Sequence, residues 1–191
     1  MMSLNKRIRL SVLVNVIFLM GYVSIGFAAS ETVELRYELA GIEPATCSKS
    51  VAIVTFEDHR KNTAIGESGR GKQFLSENPV NEWVTRALYE ELKSIGCTVE
   101  YHDTKGNFNT DATITGSVEE AYIKQDSWTK YNVNMRLQME ISIGNEKIGK
   151  TFRSSMTKRT VPAFSFNSRV ATQMLQGVMR EAVPDLQKIL E

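Results

Sequence analysis

The sequence predicts an α+β domain in two layers: a mixed, mostly antiparallel sheet with two helices packed on one face. Three observations predict this fold. Apolar and polar residues alternate without a break over residues 131–143, a period of two that is typical of a strand with one buried face. Residues 80–95 and 170–190 carry apolar side chains at helical spacing. Residues 51–56 form a short β-branched run, which is typical of a buried strand.

The N-terminus has the order of a secretory signal. Three basic residues precede an apolar run over residues 10–25, and small residues follow it. We predict a signal peptide over residues 1–28 that is cleaved after Ala28. The alternative is an uncleaved membrane anchor, because the apolar run is long. The rest of the chain divides into an N-terminal strand and connection over residues 29–50 and a single α+β domain over residues 51–191.

Export would place the mature protein in the periplasm, with membrane association if the N-terminal segment is retained. Removal of Lys6, Arg7 and Arg9 reduces the 23 basic residues to 20, against 22 acidic ones, which is a net charge of −2. This balance provides no overall basic field, so nucleic acid is not expected as a partner.

The connecting elements follow from local patterns. Residues 31–40 alternate apolar and charged side chains, which predicts a half-buried strand at a sheet edge. Asn78 and Pro79 predict the start of the first helix, and Gly96 predicts its end. Pro184 is expected to end or kink the last helix.

The second half of the chain predicts a three-stranded meander. The apolar phase of residues 112–125 changes midway, which predicts a bulge near residues 119–120. A two-residue turn at residues 144–145 would place Leu137 opposite Phe152, with both on the apolar face. A slip of one residue would break this agreement of faces, so the register is well specified.

The same register places Arg136 opposite Arg153 on the polar face of the hairpin. Like charges in direct opposition are destabilising, which favours an anionic neighbour or partner there. The alternative is that both long side chains splay into water. Trp128 lies in the turn before the long strand. We predict an interaction surface at Trp128, Arg136 and Arg153.

Cys47 and Cys97 are the two cysteines of the chain, and export would permit a disulfide between them. Cys47 lies just before the strand over residues 51–56, and Cys97 just before another predicted over residues 98–102. If a crossover helix joins these strands in parallel, both cysteines lie at the same edge of the sheet. The alternative is two buried thiols, because the sequence does not show bridge geometry.

Residues 57–78 show no periodicity and several glycines, so we predict a long structureless connection that is either mobile or functional. Residues 66–72 have the glycine and lysine spacing of a phosphate loop, but no hydroxyl follows and no helix begins there. Nucleotide binding is therefore not expected. Ser68 lacks the strand-to-helix turn that a G-x-S-x-G nucleophile requires, so no catalytic residue is assigned.

The cations of this connection define a candidate site. They follow the carboxyl end of a predicted parallel strand, where α/β sheets usually hold ligands. We predict an anion site at Arg60, Lys61, Arg70 and Lys72, with a solvated mobile loop as the alternative. Two distant histidines and two cysteines without paired spacing do not make a metal site, so neither metal nor cofactor is expected.

Four stretches carry a family resemblance: VAIVTFEDHR with its Asp58-x-Arg60 spacing, VNEWVTRALYEELKSIG, DATITGSVEEAY, and YNVNMRLQMEIS followed by IGKTFRSS. On these stretches, from about residue 51 to residue 190, the chain resembles the YajG-type family of envelope lipoproteins. The resemblance implies a periplasmic α+β domain without catalytic residues to carry over. The family's signal ends in an acylated cysteine, which is absent here, so lipid anchoring is not expected.

The sequence thus predicts a non-enzymatic periplasmic accessory protein that contacts an unknown envelope protein or lipid. The export signal, the one-sided sheet and the lack of a complete catalytic motif favour this interpretation. The alternative is a small-anion or phosphate-handling enzyme or binder that uses the glycine-rich loop over residues 57–78.

Overall fold

The computed structural model describes residues 30–44, 46–159 and 166–191, so the predicted signal peptide over residues 1–28 lies outside it. Within these ranges the chain forms nine strands and two helices. In chain order they are β1 (Ser30–Val33), β2 (Val51–Val54), β3 (Glu57–Asp58), β4 (Gly66–Ser68), β5 (Gln73–Ser76), α1 (Val80–Ser94), β6 (Val99–His102), β7 (Ala112–Ser127), β8 (Lys130–Ile143), β9 (Glu146–Arg159) and α2 (Phe166–Leu190).

β7 organises the sheet because both of its edges are paired. One edge pairs with β8 in antiparallel register, and β8 pairs with β9 in the same way. The other edge pairs in succession with β2, β3 and β4, all parallel to β7. β6 extends the sheet beyond β2, while β5 and then β1 extend it beyond β4. The predicted α+β class, with a mixed sheet and two helices, is confirmed.

The helices supply the second layer. α1 contacts β2, β3, β6 and β7, and α2 contacts β7, β8 and β9. Leu137 of β8 is fully buried, whereas the next residue, Gln138, is exposed. Gly177 permits close packing of α2 on β9, because a Cβ there would lie 2.7 Å from the side chain of Met156. Among the described residues, no helix is long and apolar enough to cross a bilayer.

The details predicted for the meander are confirmed. Leu137 pairs with Phe152 and Arg136 with Arg153. The β7–β8 register shifts between Val118 and Glu120, where the bulge was expected. Because side chains alternate with a period of two, a register shifted by one residue would have placed the apolar set of β8 opposite polar residues of its neighbours.

Cys47 and Cys97 form a disulfide, with Cα atoms 5.0 Å apart. β2 and β6 are parallel neighbours, and α1 lies between them in the chain as the crossover helix. The strand order therefore brings both cysteines to one edge, as predicted.

The prediction of a structureless connection over residues 57–78 is wrong. This part of the chain contains β3, β4 and β5, which are two to four residues long. β3 and β4 pair with β7, and β4 also pairs with β5. Ile65 and Phe74 bury their side chains in the hydrophobic core. Strands this short give no visible period of two, so the sequence pattern missed them.

One predicted strand bound is wrong, and at Pro184 the structure excludes the first of the two predicted effects, an end or a kink of the last helix. The strand expected over residues 31–40 ends at Val33. The last helix does not end at Pro184 but continues to Leu190. Proline removes one backbone hydrogen bond, but the fully buried side chains of Val183 and Leu186 hold the helix in place on either side.

Residues 34–40, which we name the strap, run along both helices instead of continuing β1. Four α2 side chains spaced by four donate hydrogen bonds to carbonyl oxygens of the strap: Ser168 to Glu34, Thr172 to Arg36, Gln176 to Glu38 and Arg180 to Ala40. From α1, the Trp83 indole N–H also donates to the Arg36 carbonyl oxygen, at 2.9 Å. The strap is thus held largely through its backbone.

Candidate functional site

A polar cleft of about 370 Å³ lies where the connection after β3 meets the bulge of β7. We name it the Arg60 cleft; it is lined by His59, Arg60, Lys61, Asn62, Ala64, Glu119, Glu120, Ala121, Tyr122 and Arg136. The parallel pairing of β3 with β7 joins Asp58 to Val118, which brings the residues after Asp58 beside the bulge. Charges of both signs therefore meet in one place.

Arg60 is buried in the wall of this cleft, with 7% of its side chain exposed. Its Nε and Nη2 each donate a 2.8 Å hydrogen bond to the Asp58 carboxylate. This guanidinium holds the pKa of Asp58 below its ordinary value. The remaining nitrogen, Nη1, is buried without a hydrogen-bond partner among the described residues. A buried donor without an acceptor costs about 1–3 kcal/mol, so this atom is a candidate contact for a ligand.

Glu119 and Glu120 bring two carboxylates to the same cleft. Glu119 accepts a 2.7 Å hydrogen bond from the Ser117 hydroxyl and lies 3.3 Å from Nδ1 of His59. The Ser117 hydrogen bond is the main cause of a lowered pKa at Glu119. Glu120 pairs in register with Arg136 of β8. Sequence reasoning missed both glutamates, although the predicted bulge was a signal, because bulges re-aim side chains beside sites.

Arg136 therefore has an acid on one side and a cation on the other. Glu120 is its partner on β7, and Arg153 is its partner on β9. Arg136 also helps to lower the pKa of Glu119. The chain thus places two carboxylates, those of Glu119 and Glu120, in the same cleft as Arg136.

The structure divides the four cations of the predicted anion site. Arg60 and Lys61 line the Arg60 cleft, whereas Arg70 and Lys72 lie in the turn between β4 and β5. Nζ of Lys72 forms a 2.8 Å ion pair with Glu31 of β1, and this contact lowers the pKa of Glu31. The division arises because β4 pairs with the C-terminal part of β7, beyond the bulge.

Ser68 has a structural role in the same turn. Its Oγ accepts backbone N–H groups from Arg70 at 3.4 Å and from Lys72 at 3.1 Å. This arrangement shapes a turn and does not resemble an activated nucleophile. Across the described ranges, no three or more His, Cys, Asp or Glu side chains gather as a metal site would require.

The second surface of interest is the turn between β7 and β8. Trp128 is 70% exposed, and the Arg70 guanidinium lies 6.0 Å from the centre of its ring. Ser68 pairs with Gln125, so the β4–β5 turn and the β7–β8 turn lie at the same end of the sheet. We name these two turns, residues 69–72 and 126–130, the Trp128 end. A large exposed aromatic ring beside a cation is typical of a contact surface.

The first described residue also lies at this end. Ser30 pairs with Gln73 of β5, and Gln73 pairs with Glu67 of β4. β1 also contacts α2, because Glu31 accepts a 2.7 Å hydrogen bond from the Asn167 side chain. The chain thus enters the domain beside the Trp128 end.

A larger groove of about 660 Å³ lies between the strap and α1. Its lining includes Tyr37 and the exposed Leu39 of the strap, together with acidic Glu82 and Glu90 of α1. The Tyr37 hydroxyl already donates to the buried Glu91, and burial is the main cause of a raised pKa at Tyr37. Because the Tyr37 hydroxyl is engaged in this way and no buried donor without a partner lines this groove in the described part of the chain, the smaller Arg60 cleft is the better candidate for a ligand site.

Comparison with known proteins defines the fold but not a family. No family model matches the chain, and no curated protein matches it. Membership of the YajG-type family therefore remains a prediction.

Solved structures share the fold. A structure described only as an uncharacterized protein superposes with a TM-score of 0.56 and 12% identity, over 83% of this chain and 99% of that one. Protein XCC0632 from Xanthomonas campestris, a DUF330 protein, gives 0.56 and 11% over 85% and 95%. Lipoprotein GNA1162 from Neisseria meningitidis gives 0.32 and 10% over 71% and 98%, a score too low to carry an argument. The comparison therefore defines the class of fold, an α+β domain shared with the first two structures.

Proposed function

We propose that this is a non-enzymatic accessory protein of the cell envelope, exported to the periplasm, that binds an envelope protein or lipid through the Trp128 end. The observation that carries the proposal is the 70% exposure of Trp128 beside Arg70. An indole in water at a turn contributes little to folding, but it is a strong anchor when a partner covers it.

The position of the chain entry supports the same surface. Ser30 lies beside the Trp128 end through its pairing with Gln73, and the apolar N-terminal run over residues 10–25 stops five residues earlier. If that run is retained in a membrane, the Trp128 end faces the membrane surface. If it is cleaved, the new N-terminus adds a positive charge at this end.

The proposal is tested by photo-crosslinking in living cells with the full-length chain. A photoreactive residue replaces Thr129, next to Trp128, and a matched copy carries it at Thr151 on the exposed side of β9, away from this turn. We expect an adduct with an envelope protein or a lipid from position 129 and none from position 151. The mass of the adduct tells protein from lipid. Equal labelling from both positions, or no adduct from position 129, would refute the proposal.

A second measurement isolates the indole. Replacement of Trp128→Ala is expected to weaken the captured contact by about 30-fold, the effect of losing an aromatic hot spot. The unfolding midpoint should stay within experimental error, because Trp128 is mostly in water. An unchanged crosslinking yield in this variant would show that the partner does not use the ring.

A further inference from the structure

We propose that the Arg60 cleft binds a small zwitterion, a ligand with an anionic oxygen group at one end and an ammonium group at the other. The site is separate from the Trp128 end, so this inference does not depend on the partner proposed above. It replaces the free anion expected from the sequence, because the structure exchanges Arg70 and Lys72 for two glutamates in the site.

The anionic half of the ligand is assigned to Arg60. Asp58 fixes the guanidinium by two 2.8 Å hydrogen bonds, which leaves Nη1 buried and without an acceptor among the described residues. Arg60 lines the cleft, and a ligand oxygen at its floor is the acceptor that we assign to this donor. Arginine held rigidly by a carboxylate is suited to a carboxylate or phosphate group, because its donors are already oriented.

The ammonium half is assigned to Glu120. Glu119 is engaged by the Ser117 hydroxyl and His59. Glu120 lines the cleft, but no hydrogen bond or ion pair of its carboxylate occurs in the described part of the chain. A carboxylate that is accessible and uncommitted is the natural partner for an ammonium group.

The charge balance of the cleft favours a zwitterion over an anion. Asp58 neutralises Arg60, and the other two basic lining residues, Lys61 and Arg136, equal the two glutamates in number. A simple anion would gain from the cations but would also lie close to two carboxylates. A ligand with both charges meets complementary groups at each end. The volume of about 370 Å³ lies within the range of small-molecule sites.

Such a ligand could come from two sources, a free solute or the head group of a lipid. Four probes distinguish a zwitterion from a ligand with a single charged group: O-phosphoethanolamine and glycine carry both groups, whereas inorganic phosphate and ethanolamine carry one each. Each probe is titrated into the folded protein, and binding is followed by NMR shifts of the Arg60 Nε–H. We expect saturable binding of at least one zwitterion. Phosphate and ethanolamine, which each lack one pole, should bind about tenfold more weakly or worse, as expected for one lost charge-assisted hydrogen bond.

Variants assign the two poles. Glu120→Gln should weaken the zwitterion by about tenfold while leaving phosphate unchanged or tighter, because it removes only the ammonium contact. Arg60→Gln, followed by the backbone amide shifts of the cleft residues because the arginine probe is lost, should abolish binding of both. Arg70→Gln, a matched arginine outside the cleft, should change neither. The Glu120→Gln result remains informative even if Arg60→Gln fails to fold.

Vesicles of phosphatidylethanolamine, tested against vesicles of phosphatidylglycerol alone, identify the source. Displacement of the bound zwitterion by the first vesicles assigns a lipid head group, and its absence assigns a free solute. Phosphate that binds as tightly as every zwitterion, or zwitterions that give no saturable shift, would overturn the proposal. Neither result bears on the crosslinking test of the Trp128 end.

Discussion

The covered and open faces of the β8–β9 hairpin come from alternate residues of the same strands, yet they are held in different ways. On the covered face, Leu137 has no exposed surface. On the open face, polar side chains bond across the strands: Thr157 donates to Asn132 and Ser155 to Asn134, each at 2.7 Å. The covered face depends on the helices, whereas much of the open face satisfies its own polar groups. We therefore expect binding at two other places: the Arg60 cleft, where a buried donor lacks an acceptor among the described residues, and the Trp128 end, where an aromatic ring is exposed.

The largest expected effect comes from two neighbours on β8. Leu137→Ala should lower the free energy of unfolding by about 4 kcal/mol, because it removes a fully buried side chain and leaves a cavity. Gln138→Ala, one residue along on the open face, should cost less than about 0.5 kcal/mol. Denaturant unfolding of both variants measures the difference. A similar loss of free energy of unfolding in both variants would mean that the open face is also buried in solution, which would contradict the difference between the two faces.

A smaller effect is expected at the ion pair of Asp58 with Arg60. Asp58→Asn leaves the Arg60 guanidinium without its counter-charge and should cost about 2 kcal/mol. This is less than a fully buried pair costs, because a third of the Asp58 side chain is in water. Asp103→Asn, in an exposed loop, is the matched control and should be neutral.

The pH dependence of this pair has a defined sign. Arg60 lowers the pKa of Asp58 from 3.8 in the folded state. The stabilisation is therefore present above about pH 4 and is lost as the pH falls through the lowered folded value. Acid unfolding of the wild type and of Asp58→Asn should converge at low pH. Parallel curves down to low pH would show that Asp58 is not linked to stability.

The smallest effects compare two threonine hydroxyls. Thr172 is buried and donates at 2.9 Å to the Arg36 carbonyl oxygen of the strap. Thr157 is exposed and donates to Asn132. Thr172→Val should cost about 1 kcal/mol, and Thr157→Val should lie within about 0.5 kcal/mol of zero, because water replaces the exposed bond. Thermal unfolding measures both. A larger loss at Thr157 would show that the open-face hydrogen bonds stabilise the fold.

The sequence predicted those parts of the fold in which apolar residues repeat at a regular spacing. Alternation specified the pairing of Leu137 with Phe152, and a change of phase specified the bulge near Glu120. The strap was predicted as a strand, since its alternation is real. Its partners, however, are helix side chains such as Thr172, and no local pattern reveals which element covers an alternating segment.

The site was less predictable because it joins distant parts of the chain. Arg60 was a candidate from its place after a parallel strand. Glu119 and Glu120 lie about sixty residues later, and only the short pairing of β3 with β7 brings them to Arg60. A strand of two residues shows no periodicity in a sequence. The bulge therefore indicated Glu119 and Glu120 as candidates, but not that they lie beside Arg60.

The pairing of β1 with β5 determines how much chain separates the sheet from the predicted signal peptide. Ser30 is fixed in the sheet beside Gln73, and Ala28 is only two residues away, about 7 Å of extended chain. If the residues before Ser30 are retained as an anchor, so short a connection restricts how far the domain reorients relative to the membrane. An attachment of the residues before Ser30 would therefore also fix the orientation of the domain. Trp128 would face the attachment, and the β8–β9 hairpin would extend away from it.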